Sequence, residues 1–382
     1  MARTLILGGG FGGIAVATEL RRIAGDHHEI VLVDRGDRFS MGLRKLWELV
    51  GHATIAEGSR SRDALTAHGV RVVRGEIDAV DAGARAATVG GETIEADYLV
   101  IALGAVSRPD LVPGLVEHGH DLWSTVGVPG AAEALAELDG GRVLVLVAGA
   151  PYPCPPAPFE CAMHVDAHLR ERGLRGRTEV AVASVQPMLM PNAGADGSAW
   201  MADQLAARDI GFQVGVKIDR VDEGAVVLED GDELAFDLLL AVPPHRVPEV
   251  VRASGLTAES GWIAVDRETF ETQWPGVFAV GDVTQILLAN GLPLPKAGVI
   301  AELEGVRVAE AIASAEPSAV APLSFDGVAS CYVEMGPEIA ARVDAEWYAE
   351  PAPVVSIAEP SAAFAAEKRA FETERLARWF GG

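Results

Sequence analysis

The sequence predicts an α/β protein with two nucleotide-binding units built on parallel sheets, plus a small carboxyl-terminal region. Three observations predict it. A strand, a glycine turn, a helix and a second strand follow one another between Thr4 and Asp34. A similar strand–turn–helix–strand run lies between Gly141 and Val185. Two further apolar strands, ending at Gly104 and at Gly281-Asp282, are placed to complete the first unit in two pieces. The expected boundaries are 1–112 and 241–318 for the two parts of the first domain, 113–240 for the second domain, and 319–382 for the terminal region.

In the first unit, Thr4 to Leu7 is a short apolar strand. Gly8, Gly10 and Gly13 follow in G-x-G-x-x-G spacing, with Phe11 inside the turn. Bare glycine backbone lets a pyrophosphate approach the amino end of the next helix, here an alanine-rich stretch from Ile14 to Ile23. The strand Glu29 to Val33 ends at Asp34, roughly 20 residues past the last glycine, where ribose hydroxyls need an acceptor. Arg35 follows it as a further contact candidate. A glycine turn without a ligand is the alternative, and four features in register speak against it.

The second unit starts in the same way and then departs. Val143 to Val147 is a buried-type strand, and Ala148-Gly149-Ala150 begins a glycine turn. Prolines 151, 153, 155, 156 and 158 then replace the glycines and enclose Cys154. Proline removes the N–H donors that hold phosphate. After the helix-like run Glu160 to Arg172, the strand Glu179 to Val185 does not end in an acid, so the ribose acceptor is missing too. Two losses leave a nicotinamide site without its main elements. A helix near Trp200 to Arg208 and strands Phe212 to Val221, Ala225 to Leu228 and Phe236 to Val242 complete the unit, with Asp230-Gly231 as a hairpin turn.

Composition narrows the class. Against 31 Lys and Arg stand 55 Asp and Glu, a formal charge of −24. That excludes nucleic acid as a partner and disfavours capture by anionic lipid. No apolar run approaches a membrane span, no signal-peptide pattern precedes the first strand, and a cytoplasmic location is expected. The three cysteines, Cys154, Cys161 and Cys331, form neither a disulfide framework nor a metal site. Cys161, inside an apparent helix, reads as a small buried apolar residue. Cys154 lies at the ligand edge of the sheet in its proline cage and reads as chemical. Cys331 sits in a short β-like stretch after the first domain should have closed.

Two stretches resemble the two-dinucleotide-domain flavoproteins. Asp97 to Gly104 is similar to their first-domain strand and its small-residue turn, with Leu103 where threonine is usual. Thr272 to Asp282 is similar to their strand ending in Gly-Asp. The resemblance implies non-covalent FAD at the amino-terminal site, touched by Ala102, Gly104 and Gly281, with Asp282 accepting from a ribityl hydroxyl or capping a helix. It also implies that a strand from Val72 to Ile77 presents Ile77 to the adenine.

Within those flavoproteins, Cys154-Pro155-Pro156-Ala157-Pro158-Phe159-Glu160 and Cys331-Tyr332 resemble the sulfide:quinone oxidoreductase and flavocytochrome c sulfide dehydrogenase group. The resemblance implies a redox disulfide between Cys154 and Cys331, attacked by sulfide or a related thiol or persulfide. Glu160 is the nearest candidate in sequence for handling the protons, or else a capping or salt-bridging acid in the first helical turn, and the loop residue His245 is a second candidate or a structural histidine. Leu294-Pro295-Lys296-Ala297-Gly298 matches the segment bordering the isoalloxazine, where Lys296 would stabilise negative charge. Arg38 to Arg44 holds no cysteine to attach FAD covalently, and there is no haem motif. The electron acceptor is a quinone, a cytochrome or another carrier. An NAD(P)H-dependent flavoprotein reductase is the alternative enzyme, and a redox-sensing flavoprotein without turnover is the alternative class. The helix Ala362 to Phe380 carries Phe364, Phe371, Leu376, Trp379 and Phe380. It either lies on the inner face of a membrane as a peripheral contact, or packs on the protein or in a homodimer; its thin apolar face favours packing.

Overall fold

The computed structural model describes residues 1–314 and 325–381. The expected boundary between 318 and 319 lies outside the described residues.

Two five-stranded parallel sheets organise the chain. The first runs in the order Val277–Ala279, Tyr98–Ile101, Ala2–Leu7, His28–Asp34, Arg71–Arg74. The second runs His120–Asp121, Leu238–Val242, Gly141–Val147, Thr178–Ser184, Gly211–Val214. Leu5, Ile6, Leu7, Val31, Leu32 and Val33 are all fully buried. Continuous apolar strands of this kind need cover on both faces, which is why the sheet is parallel and wrapped by helices. In the first sheet the strand order reverses beside Ala2–Leu7. Its carboxyl end therefore opens on the crevice where such sheets bind ligands.

Two expected strands are broken. Val72 to Ile77 is not one strand: Arg71–Arg74 stays in the parallel sheet, while Ile77–Asp81 pairs in a separate antiparallel sheet. The break falls at Gly75, whose N–H donates to the Asp34 carbonyl at 3.1 Å. Phe212 to Val221 splits likewise into Gly211–Val214 and Ile218–Asp222 at Gly215, whose φ of +71° turns the chain.

The terminal region is an antiparallel sheet of Val328–Glu334, Ala340–Glu346 and Val354–Ile357, followed by the helix Ala362–Phe380. Ser361 caps that helix by accepting from the Phe364 N–H. The helix turns its apolar side inward. Trp379 is 1% exposed and stands edge-on to Phe11 and Phe39, with ring centroids 5.6 and 5.7 Å away. Arg375 donates to Glu302 at 2.6 Å, and Arg44 to Glu372 at 2.6 Å. Glu367, Arg369, Thr373, Glu374 and Arg378 face outward. The helix packs on the protein, the reading its thin apolar face favours, with Phe364, Phe371 and Phe380 left part-buried. No helix among the described residues is long and apolar enough to cross a membrane.

Candidate active site

The glycine turn sits at the switch point. Gly8 has φ +105°, and a Cβ there would lie 2.3 Å from the Ala102 carbonyl oxygen; one on Gly13 would lie 1.9 Å from the Gly8 carbonyl oxygen. Only glycine fits either place. At Gly10 and Gly104, by contrast, a Cβ would meet nothing within 4 Å, so these two backbones border open space. The helix Phe11–Ala24 has no side-chain cap and no acid in its first turn. Its amino end is thus free to receive an anion.

Asp34 closes the turn from below. Its two oxygens accept the N–H groups of Gly9 at 2.7 Å and Gly36 at 2.8 Å. Arg62 lies alongside, 9% exposed, donating to the Gly9 carbonyl at 2.8 Å and reaching Asp34 at 3.5 Å. No local signal marks Arg62, because it comes from a separate loop. Arg35 points outward into an exposed pair with Glu76 at 3.7 Å, a contact of little energy. The Phe11 ring is part-buried. It packs on Phe39, Phe371 and Trp379. Ile77 is buried in the cluster that contains Leu5 and Val33.

The loop holding Cys154 is braced on every side. The Trp123 indole donates to the Pro153 carbonyl and the Tyr152 hydroxyl to the Pro155 carbonyl, both at 2.9 Å. Gly149 packs on Pro244, where a Cβ would come 2.6 Å from the Pro244 Cα. Cys154 itself takes φ +56°, a left-handed conformation rare for a residue with a Cβ. It is exposed to an apolar cavity that Cys331 also lines, together with Ala297, Ile300 and Trp347. All three thiols are free, and Cys161 is fully buried among Phe159, Met163 and Val165. The surrounding protein pushes the Cys331 thiol up to about 12, with Glu160 adding to it and Lys368 opposing. Cys154, though exposed by its surface area, is pushed up as well by the surrounding protein, then by Glu160 and Cys331, with Lys368 opposing.

Below the thiols lies a buried ion cluster. Glu160 Oε1 accepts from the Glu334 N–H at 2.7 Å and from Lys368 Nζ at 2.6 Å. Lys368 Nζ is 3.2 Å from Glu334 Oε2, which also meets His164 Nε2 at 3.1 Å. His245, the second expected proton carrier, is instead tied by Nδ1–H to the Pro243 carbonyl at 2.8 Å. Burial pushes it down to about 4, so it is neutral near pH 7.

Lys296 is no surface lysine. It is 6% exposed, donates to the carbonyls of Asp282 and Thr284 at 2.7 Å each, and stands 3.7 Å from the Trp262 ring centroid. Burial lowers it to about 8, against the pull of Asp282 and Glu304. Trp262 carries no sequence signal. Asp282 caps no helix, because Val280 holds the cap position of its turn without a side-chain bond. Burial raises its carboxyl, opposed by Lys296 and Lys45. Lys45, also missed in the sequence, donates to the Trp123 carbonyl.

The profile of the pyridine nucleotide-disulphide oxidoreductase family matches residues 2–311. The chain belongs to this family. Its similar members include the mitochondrial sulfide:quinone oxidoreductase of Mus musculus, 25% identical over 304 residues, with 74% of this chain and 65% of that one covered. Another is the alternative NAD(P)H-ubiquinone oxidoreductase C1 of Arabidopsis thaliana, 26% identical over 345 residues, with 78% and 64% covered. The chain thus spans just under two thirds of the length of these two relatives. The crystal structure of the Aquifex aeolicus sulfide:quinone oxidoreductase superposes with a TM-score of 0.89 at 23% identity, covering 100% of this chain and 92% of that one. That likeness shows a shared fold.

FAD is the cofactor of this family member. The residues present fit it. Gly10 and Gly104 leave bare backbone beside open space, the helix at Phe11 offers free N–H groups, and Gly281, Asp282, Lys296 and Ala297 line a second small cavity next to the thiols.

Proposed function

We propose that this FAD-dependent oxidoreductase draws two electrons from sulfide, or from a related thiol or persulfide, through Cys154 and Cys331, and delivers them to a quinone. The observation that carries this reading is the shared cavity: two cysteines from different domains line one apolar space against the Pro295–Ala297 segment. Relatives named as sulfide:quinone oxidoreductases support the donor and the acceptor.

In this reading Gly8, Gly10, Gly13, Asp34, Ala102, Gly104, Gly281 and Asp282 hold the cofactor, and the braced proline loop fixes Cys154. With the pair oxidised, hydrosulfide attacks one sulfur; the S–S bond breaks, a persulfide forms on that cysteine, and the other leaves as thiolate. A second hydrosulfide removes the outer sulfur as hydrodisulfide, and the pair is left as two thiols. Closing them again to a disulfide releases two electrons and two protons. FAD, when bound, supplies the two-electron acceptor for that closure. Glu160, held by Lys368, is the acid–base group under the cavity.

The Arabidopsis relative favours a second reading, NAD(P)H as donor. Against it, Tyr152, 2% exposed, and Pro244 fill the turn where a nicotinamide dinucleotide would need glycine backbone. The test is anaerobic mixing of the yellow protein with sulfide or with NADH while the flavin band is followed. Rapid bleaching by sulfide alone is expected. Bleaching by NADH at micromolar levels without a sulfide response would replace this reading with the second. Slow bleaching by both without turnover would point to a sensor.

A further inference from the structure

The ion cluster beneath the cavity joins three segments far apart in sequence. Glu160 lies in the first turn of the helix that follows Cys154, Glu334 ends the strand that carries Cys331, and Lys368 comes from the terminal helix, 208 residues beyond Glu160. Glu160 and Glu334 are each 1% exposed. Two carboxylates buried together repel unless a cation lies between them. Lys368 Nζ is that cation, at 2.6 and 3.2 Å.

We propose that Lys368 is a positioning residue for the cysteine pair: it orders Glu160 against the Cys331 strand and supplies the positive charge beside which Cys154 and Cys331 become thiolates. Docking of the terminal helix thereby completes the thiol site. The inference deepens the reading of the cysteines as a redox pair and rests on it.

The charged and titratable groups facing the thiols support this. Glu160 and Lys368 act on both, in opposite senses; Lys45 faces Cys154, and Asp344 faces Cys331. Burial disfavours Lys368 as a cation, yet Glu160 and Glu334 outweigh that and keep it charged. A thiolate is the attacking and leaving form in disulfide exchange, so a fixed cation controls how much of it forms.

The test is alkylation of the reduced, FAD-loaded protein by iodoacetamide from about pH 7 to about pH 11, with Cys154 and Cys331 read separately by mass spectrometry. Lys368→Met should slow both sites about tenfold at fixed pH, one unit of thiol pKa. Lys368→Arg, which keeps the charge, should stay within about twofold. Glu160→Gln should speed both. A purely structural role would move Lys368→Met and Glu160→Gln in the same direction, and that result overturns the proposal, as does an unchanged profile in Lys368→Met. If Lys368→Met loses its flavin, Glu160→Gln still decides: slowed or unchanged alkylation there rejects the proposal. Alkylation needs no sulfide, so a wild-type flavin that sulfide fails to bleach would end the donor reading and leave this test standing.

Discussion

The backbone N–H of Cys154 donates to the carbonyl oxygen of Lys296 across 2.6 Å, and Pro153 pairs with Lys296 as a parallel bridge. The proline loop of the second unit is therefore tied to the Lys296 loop of the first. A thiol that must meet a cofactor held by another domain needs such a tie, because preorganisation removes the entropy of finding the partner.

Removing either thiol should stop the chemistry and spare the cofactor. Cys154→Ser and Cys331→Ser should both lose sulfide-driven bleaching while keeping the FAD absorbance, since neither residue belongs to the glycine groove. Anaerobic spectra check this; full activity in either variant rejects the pair.

Gly13→Ala should yield colourless protein. The added methyl would sit 1.9 Å from the Gly8 carbonyl oxygen, so the turn must open. Flavin-to-protein absorbance ratio is the measurement, and a normal ratio contradicts the steric reading.

Lys296→Met should cost about 2–4 kcal/mol of stability, because the carbonyls of Asp282 and Thr284 lose their donor while buried. Chemical denaturation of the variant measures it. A loss below about 0.5 kcal/mol would mean that those carbonyls find other partners.

Glu304 accepts the Gly281 N–H at 2.5 Å, and burial raises its carboxyl to about 7 against that bond and Lys296. The folded state therefore holds this proton between the ordinary glutamate value near 4.5 and about 7, while the unfolded chain does not. Stability from this group is complete below the lower value and is lost as pH rises through the upper one. Wild-type melting temperature should carry this falling component, and Glu304→Gln should remove it. Parallel pH profiles for the two proteins would contradict the assignment.

Trp379→Ala should cost about 3–5 kcal/mol, the range for a large buried aromatic. Because Trp379 packs on Phe11, at the start of the groove helix, FAD affinity should fall as well. Thermal melts with and without added FAD separate the two effects. Unchanged stability would mean that the helix is not docked in solution.

The local grammar of the chain is legible in its sequence. Gly8, Gly10, Gly13 and Asp34 announce a nucleotide turn because strand, glycine spacing and terminal acid recur at short range. The terminal helix, Ala362–Phe380, was legible from its residue pattern. The paired motifs around Cys154 and Cys331 carried the family resemblance. Expected strands failed at Gly75 and Gly215, where one glycine redirected an apolar run into another sheet.

What the sequence by itself determined was therefore each unit's strand–turn–helix order, the cofactor class and the candidate thiols. Tertiary structure alone decided that Cys154 and Cys331 line one cavity, that Arg62 braces the glycine turn, that Lys296 is buried over Trp262, and that Lys368 lies between two carboxylates. The physical reason is range. Periodicity and turn chemistry act over a few residues, whereas these contacts join segments that meet only after the domains and the terminal helix have docked.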